Sequence, residues 1–193
     1  LYRSCTSYHS AKVGIERSLN TMQTDYIDLL LIHEPYEQSL EMYEALKEAY
    51  QSGKLRAIGI SNFDKSRYET FVQDCGIVPA INQVESHVYF SQLGLKECLN
   101  RHSTQMQSWA SFTEGRRNIF EEPLLVELGK KYEKTAAQVA LRFLVQNGIA
   151  VIPKSSHQER MKQNLEIFDF ALSAQDIEKI MQLDEGKSLF GWY

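Results

Sequence analysis

Two cations lie close together behind a short apolar run near the end of the chain. Lys154 follows the run 149–152 and a proline, and Arg160 comes soon after it. The proline cannot donate to a sheet ladder, so a strand ends there. Ser156 and Glu159 have the spacing of a capping box, which predicts a helix whose first backbone N–H groups attract an anion. An ammonium and a guanidinium beside such a helix predict a site for a phosphate monoester.

The predicted helix has a polar face that continues this site. Arg160, Gln163 and Asn164 lie three and four positions apart, which makes them neighbours on a helix. A second interpretation of the segment is a capped surface helix with solvated charges, because capping boxes are common in surface helices. The segment alone leaves both interpretations open.

Five apolar segments read as β-strands and alternate with predicted helices. The strands are predicted over 26–33, 55–60, 78–85, 104–109 and 149–152. The helices are predicted over 8–21, 39–51, 64–72, 91–100, 123–131, 135–146 and 156–167, with a last one after Ser173. Buried parallel strands read as nearly continuous apolar runs. The alternation therefore predicts a parallel sheet with right-handed crossovers.

Polar residues and one large aromatic residue lie at or just past the carboxyl ends of these strands. They are His33, Ser61, Asn62, Gln83, Trp109 and Lys154. In a (β/α)8 barrel the strand ends converge on one mouth, where the active site belongs. A doubly wound sheet would usually carry a GxGxxG turn after its first strand, and the sequence holds no such turn. We therefore predict an α/β fold with about five units of a (β/α)8 barrel.

The predicted barrel is incomplete. Eight units are needed and about 250 residues are typical, whereas the first predicted helix here has no strand before it. We expect the three other units to precede Leu1, and residues 1–193 to form a single, amino-terminally incomplete domain.

Composition narrows the class of protein. A chain of 193 residues can bury a sizeable core, and its net charge of −4 with no Lys/Arg block argues against nucleic acid or an anionic membrane as partner. Cys5, Cys75 and Cys98 show no CxxC spacing or nearby His, so neither a disulfide framework nor a metal site is predicted. Without a spanning segment or signal peptide, we expect a cytoplasmic monomer or weak oligomer acting on small molecules.

Four segments together resemble the aldo-keto reductase family. They are LLIHEP around His33, GKLRAIGISNF ending at Phe63, INQVE containing Gln83, and IPKSSHQERMKQN starting at Ile152. Their order and spacing extend over essentially the whole chain, and the first third of the family pattern is absent. The resemblance implies a TIM barrel represented by its strands 4 to 8. It also implies NADPH as cofactor and the reversible reduction of an aldehyde or ketone to an alcohol by hydride transfer.

The resemblance implies a role for each residue at the strand ends. His33 corresponds to the active-site histidine that hydrogen-bonds the substrate carbonyl, where oxyanion character develops as hydride arrives. Ser61, Asn62 and Gln83 correspond to contacts with the nicotinamide carboxamide, which needs both donors and acceptors. Trp109 stands where an aromatic ring stacks on nicotinamide. The structural alternatives are a rim histidine satisfied by backbone, loop capping by Ser61 and Asn62, and core packing of Trp109.

The remaining cofactor contacts implied by the resemblance lie in the last third of the chain. Phe112 and Glu114 correspond to the segment along the pyrophosphate, although Ala110-Ser-Phe-Thr-Glu departs from the commoner Ser-Pro-Leu pattern. The implied clamp on the adenosine 2′-phosphate is Lys154, Ser155, His157 and Arg160, with Gln163 and Asn164 toward adenine. The family often has Glu at the position of Gln163. Because both cations are retained, NADP(H) is predicted over NAD(H).

Three functions remain open from the sequence. The family's proton-donating Tyr, its Lys and its Asp belong to strands upstream of this chain, and general acid catalysis contributes roughly 10²–10⁴-fold. We therefore expect residues 1–193 alone to be a very poor reductase, and the native protein to include the missing segment. The alternatives are a non-catalytic NADPH-binding or regulatory subunit, and a gene remnant that does not fold stably. At the carboxyl end, Phe190, Trp192 and Tyr193 either line an apolar substrate site or cover the barrel wall.

Overall fold

The computed structural model describes residues 1–191 and places them in two compact units. Unit 1 comprises Leu1–Val84 and Gly94–Gln105, and unit 2 comprises Glu85–Leu93 and Met106–Tyr193. Within the described range, no helix has the length and apolar content needed to cross a bilayer. The assignment of the chain to a single domain stays a prediction.

Unit 1 is built from alternating strands and helices. After a 3-10 turn over Arg3–Cys5, the elements are α1 (Tyr8–Met22), β1 (Leu30–Ile32), α2 (Ser39–Gln51), β2 (Ile58–Ser61), α3 (Lys65–Asp74), β3 (Ile81–Glu85) and α4 (Leu93–Asn100). β1 pairs with β2 in parallel, with Leu30 opposite Ile58, and β2 pairs with β3 in parallel, with Ser61 opposite Gln83. The pairing brings the carboxyl ends of three strands to one edge of this sheet.

Local signals in the sequence explain where the helices of unit 1 begin. Ser7 and Ser10 form a capping box at the start of α1, and the Asp64 side chain accepts a hydrogen bond from the Arg67 amide at the start of α3. In β2, a Cβ atom at Gly59 would lie 2.7 Å from the Ile81 carbonyl oxygen, which is closer than real Cβ contacts. Glycine therefore permits the close approach of β2 and β3 at this point.

Unit 2 continues the alternation. Its elements are β4 (Gln105–Trp109), two 3-10 turns over Thr113–Gly115 and Ile119–Glu121, α5 (Pro123–Tyr132), α6 (Ala136–Gln146), β5 (Ala150–Val151), α7 (Gln158–Leu165) and α8 (Ala174–Met181). β4 and β5 are parallel, with Ser108 opposite Val151. Thr135 and Gln138 form a capping box at the start of α6, whose Leu141, Phe143 and Leu144 are fully buried. α7 buries none of its residues.

Each predicted strand is present but shorter than predicted. The run 26–33, for example, forms a ladder only over Leu30–Ile32, and Ile27 makes one isolated parallel bridge to Leu55. An apolar run reports which side chains are buried, whereas a ladder also needs a partner strand in register. Sequence pattern therefore located the strands better than it located their ends.

The capping box predicted at Ser156 is wrong. α7 begins at Gln158, with His157 at the cap position and without a side-chain cap bond. The hydroxyl of Ser155 instead accepts a hydrogen bond from the His157 amide at 3.1 Å. This serine turn satisfies the His157 N–H ahead of the helix, and it leaves Ser156 outside α7.

Candidate functional site

Four of the predicted site residues are connected at the carboxyl ends of β1, β2 and β3. His33, Ser61, Asn62 and Gln83 are named here the strand-end cluster. The Ser61 hydroxyl donates to the Gln83 carbonyl oxygen at 2.7 Å, and the Asn62 amide N–H donates to the same oxygen at 2.9 Å. The Asn62 side-chain amide donates to the His33 carbonyl oxygen at 3.1 Å. Unit 1 therefore brings these four residues together through hydrogen bonds between its strand ends.

Asn62 has a backbone conformation that suits its position in the cluster. Its φ of 64° lies in the left-handed region, which Asn tolerates better than most residues. Its side chain is buried and also donates to the Ser61 hydroxyl at 3.2 Å. Because Asp64 caps α3, capping of that helix does not account for Ser61 and Asn62. They hold the ends of adjacent strands in place.

His33 combines a fixed backbone with an exposed side chain. Its amide donates to the Leu1 carbonyl oxygen at 2.8 Å, and its own carbonyl accepts from Asn62. The imidazole is exposed and lies 4.8 Å from the Tyr2 ring, measured between centroids. Within residues 1–191, the structure shows no backbone hydrogen bond to the imidazole. The ring is therefore presented at the surface of unit 1, where it can donate to a carbonyl oxygen.

A second titratable group, not singled out from the sequence, lies in the same loop as His33. Burial raises the pKa of Tyr36 to about 12, so its phenol keeps its proton at neutral pH. Tyr36 is half-buried, and its amide donates to the Glu34 carbonyl oxygen at 2.9 Å. A tyrosine in a loop carries no sequence signal for such burial.

Unit 2 contains a pocket of about 450 Å³ at the amino end of α7. Seven predicted site residues line it: Phe112, Lys154, Ser155, His157, Arg160, Gln163 and Asn164. The prediction that Arg160, Gln163 and Asn164 share one helix face agrees with this placement. We refer to this cavity as the cationic pocket.

Five further residues line the cationic pocket and were not predicted from the sequence. They are Phe120, Thr135, Ala136, Ala137 and Ser156. Thr135 and the two alanines form the capped start of α6. The amino ends of both α6 and α7 therefore line this pocket. The capping pattern at Thr135 is visible in the sequence, but nothing local indicates that it faces Lys154.

The charge of the cationic pocket favours an anion. Lys154 and Arg160 are exposed and have no acidic neighbour among the lining residues. The amino ends of helices add partial positive charge and unpaired N–H groups. A phosphate group matches this arrangement because Lys supplies a point charge and Arg a planar pair of donors.

Trp109 and Glu114 are not among the residues that line the cationic pocket. Trp109 is half-buried at the end of β4, and the Phe190 ring lies edge-on to it with 4.9 Å between centroids. Glu114 is exposed in a 3-10 turn, with a left-handed φ of 48°. The predicted contact of Glu114 with the pyrophosphate stays a prediction.

Three aromatic residues at the carboxyl end were predicted to line a substrate site or cover the barrel wall, and the structure describes only one of them. Phe190 packs on Trp109, whereas Trp192 and Tyr193 lie outside the described residues. Within residues 1–191, no three His, Cys, Asp or Glu side chains are grouped so as to hold a metal ion.

Comparisons with known proteins point to one family. The model of the Aldo/keto reductase family matches residues 2–185. Glyoxal reductase from Bacillus subtilis is 36% identical over 179 residues, which cover 92% of this chain and 64% of that protein. The chain thus spans about two thirds of the length of this curated relative.

Solved structures are also similar. An aldo-keto reductase enzyme from a Medee basin deep-sea metagenome library has 32% sequence identity and a TM-score of 0.96, covering 100% of this chain and 73% of its own. A mutant of Gox0644 in complex with NADPH has 34% identity and a TM-score of 0.92, covering 97% of this chain and 70% of its own. The predicted fold class, an α/β chain carrying part of a (β/α)8 barrel, is confirmed by these likenesses.

Proposed function

The chain belongs to the aldo/keto reductase family, and on that premise we propose that the protein reduces aldehydes or ketones to alcohols with NADPH. When bound, NADPH would supply the hydride for the carbonyl carbon. The carbonyl oxygen would take its proton from a general acid, and the products would be the alcohol and NADP⁺. Because the chain spans 64% of glyoxal reductase, the activity is proposed for the protein as a whole.

The cationic pocket is the observation that carries this proposal. Lys154 and Arg160 line it together with Ser155 and His157. A phosphate monoester carries a charge of about −1.5 to −2 near neutral pH, and such groups form strong charge-assisted hydrogen bonds with Arg and Lys. NADPH carries a 2′-phosphate that NADH lacks, so these residues favour the phosphorylated cofactor. The NADPH complex of a Gox0644 mutant, a structure similar to this chain, supports the same choice.

The adenosine part of the cofactor has matching surfaces in the same pocket. Gln163 and Asn164 offer amide donors and acceptors, and the Phe112 and Phe120 rings pack together with 5.3 Å between centroids. Aromatic faces and amide groups suit a flat heterocycle with nitrogen atoms at its edge. We therefore assign adenine to the wall formed by these four residues, which moves Phe112 from the pyrophosphate, its position by resemblance, to the adenine end of the pocket.

The strand-end cluster is assigned to nicotinamide and the substrate carbonyl. Ser61 and Asn62 are buried and fixed by bonds to backbone, which orients their remaining polar atoms before a ligand arrives. His33 is exposed beside them and offers a ring N–H to the carbonyl oxygen. A fixed donor stabilises the negative charge that grows on that oxygen during hydride transfer. Trp109 supplies the flat face proposed to stack on nicotinamide.

A direct test uses the protein as a whole, not residues 1–193 alone, with glyoxal, the substrate named for one relative, and NADPH deuterated at C4. We expect NADPH oxidation that depends on glyoxal, with deuterium recovered on the alcohol carbon. NADH at the same concentration is expected to support much slower turnover. Tight NADPH binding without turnover of glyoxal or of other aldehydes and ketones would contradict the proposed reductase activity. That result would favour the non-catalytic NADPH-binding subunit.

A further inference from the structure

Ser156 lines the cationic pocket but has no part in the proposed cofactor contacts. Lys154 and Arg160 line the pocket with it. The Ser156 side chain is exposed, and its hydroxyl makes no hydrogen bond within the described part of the chain. Ser155 differs, because it is half-buried and its hydroxyl accepts from the His157 amide at 3.1 Å. Of these two neighbouring serines, Ser156 is therefore the one whose hydroxyl is free to react.

The groups around Ser156 are those that bind a phosphoserine. Lys154 and Arg160 are exposed, and none of the residues that the structure describes along this pocket is acidic. A phosphoserine carries a charge of about −1.5 to −2 near neutral pH, and Arg and Lys form strong charge-assisted hydrogen bonds with its oxygens. The helix α7 begins at Gln158 without a side-chain cap bond, so the backbone N–H groups of its first turn are further donors. A phosphoryl group on Ser156 would therefore find its partners within the same segment of chain.

The cationic pocket has the charge for one phosphate group, not for two. Its volume is about 450 Å³, and Lys154 and Arg160 are the lysine and the arginine among its described lining residues. Two positive charges balance one phosphate monoester, whose own charge is about −2. A second phosphate in the same space would lie beside a like charge, which disfavours the ionised forms of both groups. A phosphoserine and the 2′-phosphate of NADPH would therefore compete for the two cations.

We propose that Ser156 is a phosphorylation site through which a protein kinase lowers the affinity for NADPH. The Ser156 hydroxyl oxygen attacks the γ-phosphorus of ATP, and the bond from that phosphorus to the β–γ bridging oxygen breaks. ADP leaves, and the hydroxyl proton passes to a base of the kinase. The new phosphoryl group occupies the place of the 2′-phosphate beside Lys154 and Arg160. The inference rests on the proposed function, because it takes the cationic pocket to hold that 2′-phosphate.

A labelling experiment tests whether Ser156 accepts phosphate. The protein as a whole is incubated with an extract of the cells that make it and with ATP labelled at the γ-phosphorus. Ser103→Ala is the matched control, since Ser103 is also exposed and is not among the residues that line the cationic pocket. We expect Ser156→Ala to lose most of the label and Ser103→Ala to keep it. NADPH should slow the labelling of wild type more than NADH does, because NADPH occupies the pocket.

Phosphorus NMR reports on the phosphoryl group without cofactor or substrate. Phosphoserine is incorporated during translation at position 156, or at position 103 as the control. The second pKa of a phosphoserine is about 6, and nearby cations lower it because they favour the dianion. We expect the pKa of the phosphoryl group at position 156 to lie about one unit below that at position 103. Arg160→Ala in the protein phosphorylated at position 156 should remove much of this difference.

Calorimetric titration then measures the effect of the phosphoryl group on cofactor binding. We expect phosphoserine at position 156 to raise the Kd of NADPH by about 10- to 100-fold, as for the loss of a hydrogen bond to a charged group. The Kd of NADH should change by less than about threefold, because NADH has no 2′-phosphate to be displaced. Phosphoserine at position 103 should leave both constants at their wild-type values.

Three results would overturn the proposal. Equal labelling of wild type and Ser156→Ala would show that the kinase modifies another residue. Equal pKa values at positions 156 and 103 would show that the phosphoryl group does not lie beside the cations. A lowered pKa with an unchanged Kd for NADPH would show that the two phosphates do not compete. An unmodified protein that binds NADPH and NADH equally would instead contradict the cofactor assignment, and the lowered pKa would still identify a phosphoserine site.

Discussion

The side-chain amide of Asn62 donates a hydrogen bond to the backbone carbonyl of His33, with 3.1 Å between the two atoms. The bond joins a residue predicted to bind cofactor to the residue predicted to orient the substrate. Because Asn62 also binds the Gln83 carbonyl oxygen through its amide N–H, one residue sets the spacing of three strand ends. The position of His33 should therefore depend on Asn62.

Replacing Asn62 by Gly tests this dependence. Glycine accepts the left-handed φ of 64° without strain, so the substitution removes the side-chain bonds while keeping the backbone conformation. We expect kcat for carbonyl reduction to fall by about 3- to 10-fold, as for loss of a hydrogen bond of roughly 1 kcal/mol. Steady-state kinetics measures the fall. Asn118→Gly, at an exposed site where Asn bonds to Glu121, is the control. An equal loss in both variants would point to a general effect of glycine on stability.

Substitution of His33 should lower kcat much more than substitution of Asn62. Its imidazole is the proposed donor to the carbonyl oxygen, and removing one such donor typically lowers kcat by about 10²–10³-fold. We expect His33→Ala to show this loss in kcat with an unchanged Kd for NADPH, since His33 is not among the residues that line the cationic pocket. His9→Ala changes an exposed histidine of α1 and should retain wild-type activity. A kcat within about threefold of wild type in His33→Ala would contradict the assignment of His33 as the donor to the carbonyl oxygen.

The Asp176 carboxylate predicts how the stability of unit 2 changes as the pH falls. It lies in the first turn of α8 behind the cap residue Ser173 and is buried, with Lys131 Nζ at 2.6 Å, the Tyr132 hydroxyl at 2.5 Å and the Ser173 hydroxyl at 2.7 Å from its carboxylate. These hydrogen bonds, led by that from Lys131, hold the pKa of Asp176 far below its ordinary value. A carboxyl whose folded pKa is lowered stabilises the fold above its unfolded pKa of about 3.9, and this contribution is lost as pH falls toward the folded pKa.

We therefore expect Asp176→Asn to lower the free energy of unfolding at neutral pH by about 1–3 kcal/mol, the usual contribution of hydrogen bonds to a charged group. The difference between wild type and variant should shrink as pH falls below about 4. Urea unfolding across that range measures both effects. Asp169→Asn, whose exposed carboxylate pairs with Lys134 at 2.6 Å, should cause a smaller loss at neutral pH. A difference that does not depend on pH would contradict the stabilising role of the ionised Asp176 carboxylate.

Local patterns predicted much of the fold and part of the candidate site. Apolar runs located each strand, and the polar residues at the ends of β1, β2 and β3 are hydrogen-bonded to one another in the strand-end cluster. The helical spacing of Arg160 and Asn164 placed both in one pocket. These predictions succeed because spacing along a strand or helix fixes direction in space.

Other features depend on contacts between residues far apart in the chain. Glu85 and Ser188 are 103 positions apart, and neither carries a signal of the other. The cap of α7 was predicted at Ser156 because the spacing to Glu159 is right, but the adjacent Ser155 already satisfies the His157 amide. This serine turn lies ahead of the helix, and α7 begins at Gln158. The spacing of Ser156 and Glu159 carries no signal of that turn.

Lys154 and Arg160 are proposed to select NADPH through its 2′-phosphate. Calorimetric titration of wild type, Arg160→Ala and Lys162→Ala with NADPH and with NADH tests it most directly. Lys162 lies on the same helix and pairs with Glu166 at 3.8 Å, so it controls for a change of charge on α7. We expect Arg160→Ala to raise the Kd of NADPH by about 10- to 100-fold, the loss of a charge-assisted hydrogen bond, and to change the Kd of NADH by less than about threefold. Equal losses for the two cofactors would contradict the claim.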